Sequence, residues 1–383
     1  MKEKDFPGIR TPEVLSDAVS LIASEKTWIE TEAIRQLHQV AALQSVSRVV
    51  GLPDLHPGIR YPVGMACFSS DRIYPALIGS DIGCGMAFWK LTLKASRGNV
   101  GRLDKKLGDL DGPPGELTEL MENLPEWATE QPGLGTIGGG NHFAELQRLD
   151  AVYDAVLAEK LELDAPYLFL LIHSGSRNLG HSIYEKHVQG FSHDGVDQND
   201  PACADYLDGH DRAVQFAKLN RELVARRILK RLNARGEKLL DVVHNAVTKE
   251  VFEGATGWVH RKGANSAYGD LSVIPGSRGD FTWLVQPLGS DQTLFSLPHG
   301  AGRKWARNDC RGRLERRFTQ KELLTTALGS HVICSDGNLI YEEAAQAYKP
   351  LESVIAPMVS GGLLRLIARF RPVLTYKTRG RLP

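Results

Sequence analysis

Glycine gathers beside histidine, aspartate and cysteine in this chain. The segments are Asp54-Leu-His-Pro-Gly58, Asp81-Ile-Gly-Cys-Gly85, Gly138-Gly-Gly-Asn-His142, His173-Ser-Gly-Ser-Arg177 and Pro298-His-Gly-Ala-Gly-Arg303. Two further glycine turns, Arg261-Lys-Gly-Ala264 and Pro275-Gly-Ser-Arg-Gly279, hold no metal-type side chain. Glycine admits positive φ and lets a ligand come close to the backbone. Taken singly, His142 reads as a turn histidine, Cys84 as a small buried apolar side chain and Asp81 as a turn cap. His244, after the mostly apolar stretch Leu239 to Val243, reads as a core histidine. Taken together they change meaning. Asp81 and Cys84, three apart across a glycine, can reach one metal from a tight turn, and histidines from three other segments can complete the site. The fold must therefore bring distant segments to one place.

Several function classes drop out. Gly133-Leu-Gly-Thr-Ile-Gly138 matches G-x-G-x-x-G but follows Pro132 and leads into more glycines, not a helix, so a Rossmann site is excluded. No Gly-Lys-Ser/Thr, Lys-x-Asp-Gly, His-Glu-x-x-His or Cys-x-x-Cys occurs. Five scattered cysteines are too few for a disulfide framework and point to a reducing, cytoplasmic setting. Met1 to Arg10 lacks an apolar signal core, and the apolar run Tyr167 to Ile172 is far short of a bilayer span, so neither secretion nor a membrane is expected. The 46 basic and 46 acidic residues cancel, but from His299 onward 15 Lys/Arg face 7 Asp/Glu. Such a basic segment can contact phosphates or simply be a solvated surface.

Periodicity predicts helices over Glu13–Ser24, started by Thr11 and Pro12, and over Trp28–Gln44, started by a Thr27/Glu30 capping box. Asp211–Leu232, Gln320–Leu328 and Glu342–Tyr348 are also expected to be helical. Strands are expected at Val46–Val50, Arg72–Ile78 and Phe88–Leu93, and repeatedly between Val242 and Gln286. No regular βαβ beat is present, so the expected fold is α+β: a single large domain of mixed or antiparallel sheets flanked by helices. Residues 1–45 are expected to form an N-terminal helical segment packed on a main domain of residues 46–383.

The glycine segments together resemble the RtcB family of RNA-splicing and RNA-repair ligases. Asp81-Ile-Gly-Cys-Gly-Met86, Gly140-Asn-His-Phe143, His173-Ser-Gly-Ser-Arg177, His299-Gly-Ala-Gly-Arg303 and Tyr348-Lys349 occur in that family's order, with Lys377 following 29 residues after the tyrosine. Pro298 before the histidine, Lys304-Trp305 after the turn and the short chain look more like the branch associated with peptide release factor H.

The resemblance implies an RtcB-like fold and two Mn²⁺ ions. Cys84 would bridge them, with Asp81 and His142 on one and His173 and His244 on the other. Chemistry alone would suit zinc equally well, so manganese rests on the family. His299 is implied to attack GTP and carry GMP, with Asp54 in support. Asn141, Glu145, Ser277, Gly300, Gly302, Tyr348 and Lys377 are implied to surround the nucleotide. The substrates implied are RNA 3′-phosphate or 2′,3′-cyclic phosphate ends and 5′-hydroxyl ends. Two rivals share these residues: a binuclear metal-dependent phosphoester hydrolase, and a release-factor-associated RNA-binding protein with a decayed site.

Overall fold

The computed structural model describes residues 13–97, 99–115, 117, 120, 121 and 124–380. The first strands are β1 (Glu13–Ser16), β2 (Val19–Leu21), β3 (Val46–His56), β4 (Val63–Ser69), β5 (Arg72–Ile73) and β6 (Gly85–Lys94). Next come β7 (Phe143–Val152), β8 (Tyr167–Ser174), β9 (Val196–Asp197), β10 (Gly236–Val243), β11 (Asn245–Phe252) and β12 (Ala255–Lys262). The chain ends with β13 (Ala264–Ser266), β14 (Ser272–Pro275), β15 (Thr282–Pro287), β16 (Ser296–Pro298), β17 (His331–Cys334) and β18 (Leu364–Thr378). One six-stranded sheet has the order β1-β2-β3-β4-β12-β11, and an eight-stranded sheet has the order β10-β6-β8-β7-β18-β15-β14 with β17 on β18. Pairing is largely antiparallel and helices cover the faces, an α+β architecture.

The apolar runs explain the layering. On one face of the eight-stranded sheet, Trp89, Leu170 and Ile172 pack against Val224, Ile228 and Leu232 of the Pro201–Leu232 helix. On its other face Phe88 and Phe169 stack, and Phe370 meets both edge-on. The Leu351–Ser360 helix contributes Val354, Ile355 and Met358 to a core shared with Val50 and Phe68 of one sheet and Trp283 and Val285 of the other. Among the described residues no helix is long and apolar enough to cross a membrane.

Several local expectations are corrected. Glu13–Ser24 contains β1 and β2, not a helix, because Val19, Ser20 and Leu21 pair in parallel with Val49, Val50 and Gly51 of β3. Sheet pairing there overrides a local pattern that also fits a helix. Thr11 and Pro12 lie outside the described residues. The next helix runs Thr31–Ala41 with Glu30 at its N-cap, and no side chain caps it. Thr27 instead pairs with Ser24 Oγ at 2.9 Å and donates to Ser353 O at 3.2 Å.

Further along, Pro75 stops β5 and begins a one-turn helix, Pro75–Ile78, since its fixed φ suits a first helical position. The long helix starts ten residues before the expected Asp211, at Pro201, behind the Asp200 cap. Expected helix over Gln320–Leu328 shrinks to Gln320–Leu323, behind a Thr319/Glu322 capping box. Helix over Glu342–Tyr348 is replaced by Gly337–Glu342 and a 3-10 turn at Ala345–Ala347.

Candidate metal and nucleotide site

Antiparallel alternation builds the site. In the order β10-β6-β8-β7-β18, neighbouring strands run in opposite directions, so the end of one lies beside the start of the next. Cys84 immediately precedes β6, His173 sits at the end of β8, His142 immediately precedes β7, and His244 immediately follows β10. The register aligns them: Gly85 pairs with Ser174 and Val243, and Phe143 with His173. Lys377 closes the end of β18, beyond Thr375, which pairs with Glu145. Five strand ends thus form one rim of the eight-stranded sheet.

Cys84 Sγ lies 3.2 Å from His173 Nε2 and 3.4 Å from His142 Nε2. These three donors form a candidate metal site. Asp81 Oδ2 is 3.0 Å from the same His142 nitrogen. The His173 and His244 rings lie 5.1 Å apart, and buried His244 Nδ1 has no hydrogen-bond partner among the described residues. His173 Nδ1 is 3.2 Å from Asn141 O, so this nitrogen donates and Nε2 stays open towards the cluster.

Burial holds His173 and His244 well below the usual imidazole range, which keeps them neutral and able to ligate. Burial works against ionisation of Asp81, but the adjoining His142 holds its carboxyl below the usual range. Burial, reinforced by the Asp81 charge, pushes the Cys84 thiol up. A cation here would offset both the burial and the Asp81 charge, so the donor set fits a metal. Gly175 permits this crowding, because a Cβ there would stand 2.0 Å from Asp81 Oδ1.

His299 follows β16 and faces the other sheet. Its Nδ1 is 2.6 Å from Asp54 Oδ2, and its backbone N–H donates to the same oxygen at 3.1 Å. Since the carboxylate accepts, Nδ1 carries the proton and Nε2 is the open nitrogen. The His299 ring lies 4.9 Å from that of His244, which brings this pair to the metal cluster. Gly302 has φ +69° and seats directly on Asp54, where a Cβ would stand 2.2 Å from the Asp54 carbonyl oxygen.

A cavity of about 1170 Å³ opens over this rim. Its walls include Asp81, Cys84, His173, His244 and His299, and also Asn141, Glu145, Ser277, Gly300, Gly302, Tyr348 and Lys377. His142 and Asp54 stand behind the wall, each bonded to a residue in it. The sequence-derived candidates are therefore all at one place.

Lys377 Nζ donates to Gly140 O at 2.8 Å and lies 3.5 Å from Glu343. Tyr348 donates to Glu343 at 2.7 Å. Burial opposes the Glu343 charge, but Lys377, Arg307 and Arg303 hold the carboxyl down at about 2. Glu145 accepts from Thr375 at 2.5 Å and from Gln147 at 2.7 Å.

Burial nevertheless pushes Glu145 from the ordinary 4.5 up to about 7. The folded chain then keeps a proton that the unfolded chain has released, so this residue makes stability fall as pH rises through that window. Glu145→Gln has no such proton to lose. Its melting temperature relative to wild type should therefore rise between about pH 5 and about pH 8. A constant difference in thermal melts across that range would contradict this environment for Glu145.

Other side chains at the site have no role assigned to them from the sequence. Lys262 faces the cavity near Asp81, and burial lowers its amine to about 8. Its Arg261-Lys-Gly-Ala264 turn was visible but held no metal-type residue. Arg278 and Glu343 lie in the wall beside Tyr348 and Lys377 with no local motif to mark Glu343. Lys349, 2% exposed, donates to Pro53 O at 3.1 Å and Leu55 O at 2.6 Å, clamping the carbonyls on either side of Asp54.

A family model described as tRNA-splicing ligase RtcB matches residues 36–112 and 116–378. The chain is 51% identical to an Escherichia coli protein named RNA-splicing ligase RtcB2, over 96% of this chain and 97% of that one. It is 27% identical to the tRNA-splicing ligase RtcB of Archaeoglobus fulgidus, over 96% of this chain and 94% of that one. It is 26% identical to an Escherichia coli RNA-splicing ligase RtcB, over 93% of this chain and 97% of that one.

Proposed function

The chain belongs to the RtcB family, and on that premise we propose that it is a GTP-dependent RNA ligase working with two Mn²⁺ ions. It would join RNA 3′-phosphate or 2′,3′-cyclic phosphate ends to 5′-hydroxyl ends, in RNA repair or tRNA splicing. The observation that carries the reading is the 2.6 Å contact from His299 Nδ1 to Asp54, made beside the Cys84 cluster.

Cys84 would hold both ions, one with Asp81 and His142 and one with His173 and His244. When bound, the ions offset negative charge on phosphate oxygens. Asp54 keeps the Nδ1 proton of His299 in place and orients the ring, so the Nε2 lone pair is available to the α-phosphorus of GTP. The new N–P bond forms as the bond to pyrophosphate breaks, leaving GMP on His299. Gly300 and Gly302 leave space for the nucleotide beside that nitrogen. Glu145 offers an acceptor for a guanine N–H edge, and Asn141, Ser277, Tyr348 and Lys377 surround the rest. An oxygen of the RNA 3′-phosphate then attacks the histidine-bound phosphorus, which frees His299 and caps the 3′ end with GMP. Attack of a 5′-hydroxyl on the 3′-phosphate closes the phosphodiester and expels GMP. A 2′,3′-cyclic phosphate would first be opened by water at the same site.

The same reading treats residues 46–383 as the catalytic domain and residues 1–45 as a segment packed on it. Pairing of β2 with β3, and Leu37 and Val40 of the Thr31–Ala41 helix in a core with Val49 and Leu55, support the packing of the described part of that segment, not a boundary at residue 45. Pro298 and Lys304-Trp305 support a functional link to peptide release factor H. The free thiol needed at Cys84 suits a reducing, cytoplasmic location.

Incubation with Mn²⁺ and GTP labelled at the α-phosphate tests the reading. Acid-labile label on the chain, which does not form when the metal is chelated beforehand, is the expected result. Bound metal with phosphoester cleavage but no label would identify a binuclear hydrolase instead, and failure to bind metal would identify a decayed site.

A further inference from the structure

We propose that the segment from Lys304 to Lys321 is the surface along which an RNA strand reaches the cavity, its cations holding backbone phosphates set back from the reacting end. The inference rests on the RNA-ligase reading for its ligand and on the following placement for its location.

The segment begins in the cavity wall, which includes Trp305, Ala306, Arg307 and Asn308. From there the Arg307–Leu314 helix leads away, with Cys310 and Leu314 turned into the protein and Arg307, Arg311 and Arg313 exposed. Arg316, Arg317 and Lys321 follow, all exposed. Half-buried Trp305 anchors the near end, with Lys304 Nζ 5.6 Å and Arg313 5.3 Å from its ring centre.

Seven basic residues face two acidic ones between positions 304 and 321. An ordinary solvated helix balances such charge with i,i+4 pairs. Here Glu315 takes Arg311 at 3.0 Å and Asp309 only approaches Arg313, at 4.0 Å. Arg316, Arg317 and Lys321 have no acidic partner within ion-pair distance among the described residues. Concentrated like charge opposes folding on its own account, whereas beside a cleft it draws in a polyanion. A helix rises about 1.5 Å per residue, so Arg307–Leu314 is roughly 12 Å long, and past Asn308 none of the segment's residues lines the cavity in which a dinucleotide would sit.

The test uses the full chain with Arg316→Ser, Arg317→Ser and Lys321→Ser combined. The probes are a 12-nucleotide single-stranded RNA and a dinucleotide, each ending in a 3′-phosphate. Loss of three phosphate contacts on single-stranded RNA should lower the slope of log affinity against log salt by about 2. Affinity for the 12-mer should drop about tenfold or more at low salt. Labelling by GTP and activation of the dinucleotide should match wild type, and lysine at all three positions should restore 12-mer binding. An unchanged salt slope, or an equal loss on the dinucleotide, would overturn the surface. The binding measurement needs no GTP, so it decides the surface even if wild type takes no label, a result that would instead sink the ligase reading.

Discussion

Replacing His299 with alanine is expected to leave no covalent guanylate on the chain, a loss on the order of a thousand-fold or more in adduct formation. His142 and His173 turn Nε2 to Cys84, whereas His299 is held through Nδ1 by the Asp54 carboxylate; His56, also in the cavity wall, is held through Nδ1 by the Asp54 carbonyl instead. Alanine also removes the ring donor to Asp54, which is fully buried and whose Oδ1 has no partner among the described residues. A stability cost of about 1–3 kcal/mol is therefore expected as well. His299→Gln, which retains a donor for Asp54, should recover part of that stability and none of the labelling. Bound metal measured on both variants separates loss of the nucleophile from collapse of the site. Persistent label on either variant would assign the covalent step to another residue.

Cys84→Ala should release metal that wild type retains through dialysis. Loss of an outer-shell partner alone weakens metal binding about 10–100-fold, and removal of a central donor exceeds that. Guanylylation and ligation should be lost together. Because Cys84 Sγ lies near both His142 and His173, its loss affects the whole cluster, not one ligand position. Elemental analysis of the dialysed protein is the direct measurement. If the alanine variant kept the wild-type metal content, Cys84 could not be the shared ligand.

Residues differ in how legible they are without a structure. Cys84, His142 and His173 stand out because each travels with its own glycine turn, and Gly175 shows the reason: Asp81 occupies the space of its missing side chain. His244 has no such marker, and its local setting fits a core histidine as well as a ligand. Only the passage from β10 to β11 brings its ring beside those of His173 and His299. Glu343 and Lys349 act through partners far along the chain; the Tyr348-Lys349 pair is visible in the sequence, but the Lys349 bonds to Pro53 and Leu55 are not. The N-terminal strands are hidden for a related reason. Leu15, Val19 and Ile22 have the spacing of a helix face until β3 supplies a strand to pair with. The long helix is recognisable in its apolar half, while its start depends on the Asp200 cap and Pro201.

His244 alone separates β10, at one edge of the eight-stranded sheet, from β11, at one edge of the six-stranded sheet. Its backbone is tied on both sides, donating to Cys84 O at 2.8 Å and accepting from Ala264 N at 3.0 Å. An ion gripped by this side chain is thus a rivet through the seam of the molecule. Whatever free energy the rivet contributes favours the folded chain over the unfolded one, so the cell's supply of the ion would govern how long the ligase lasts as well as how fast it works.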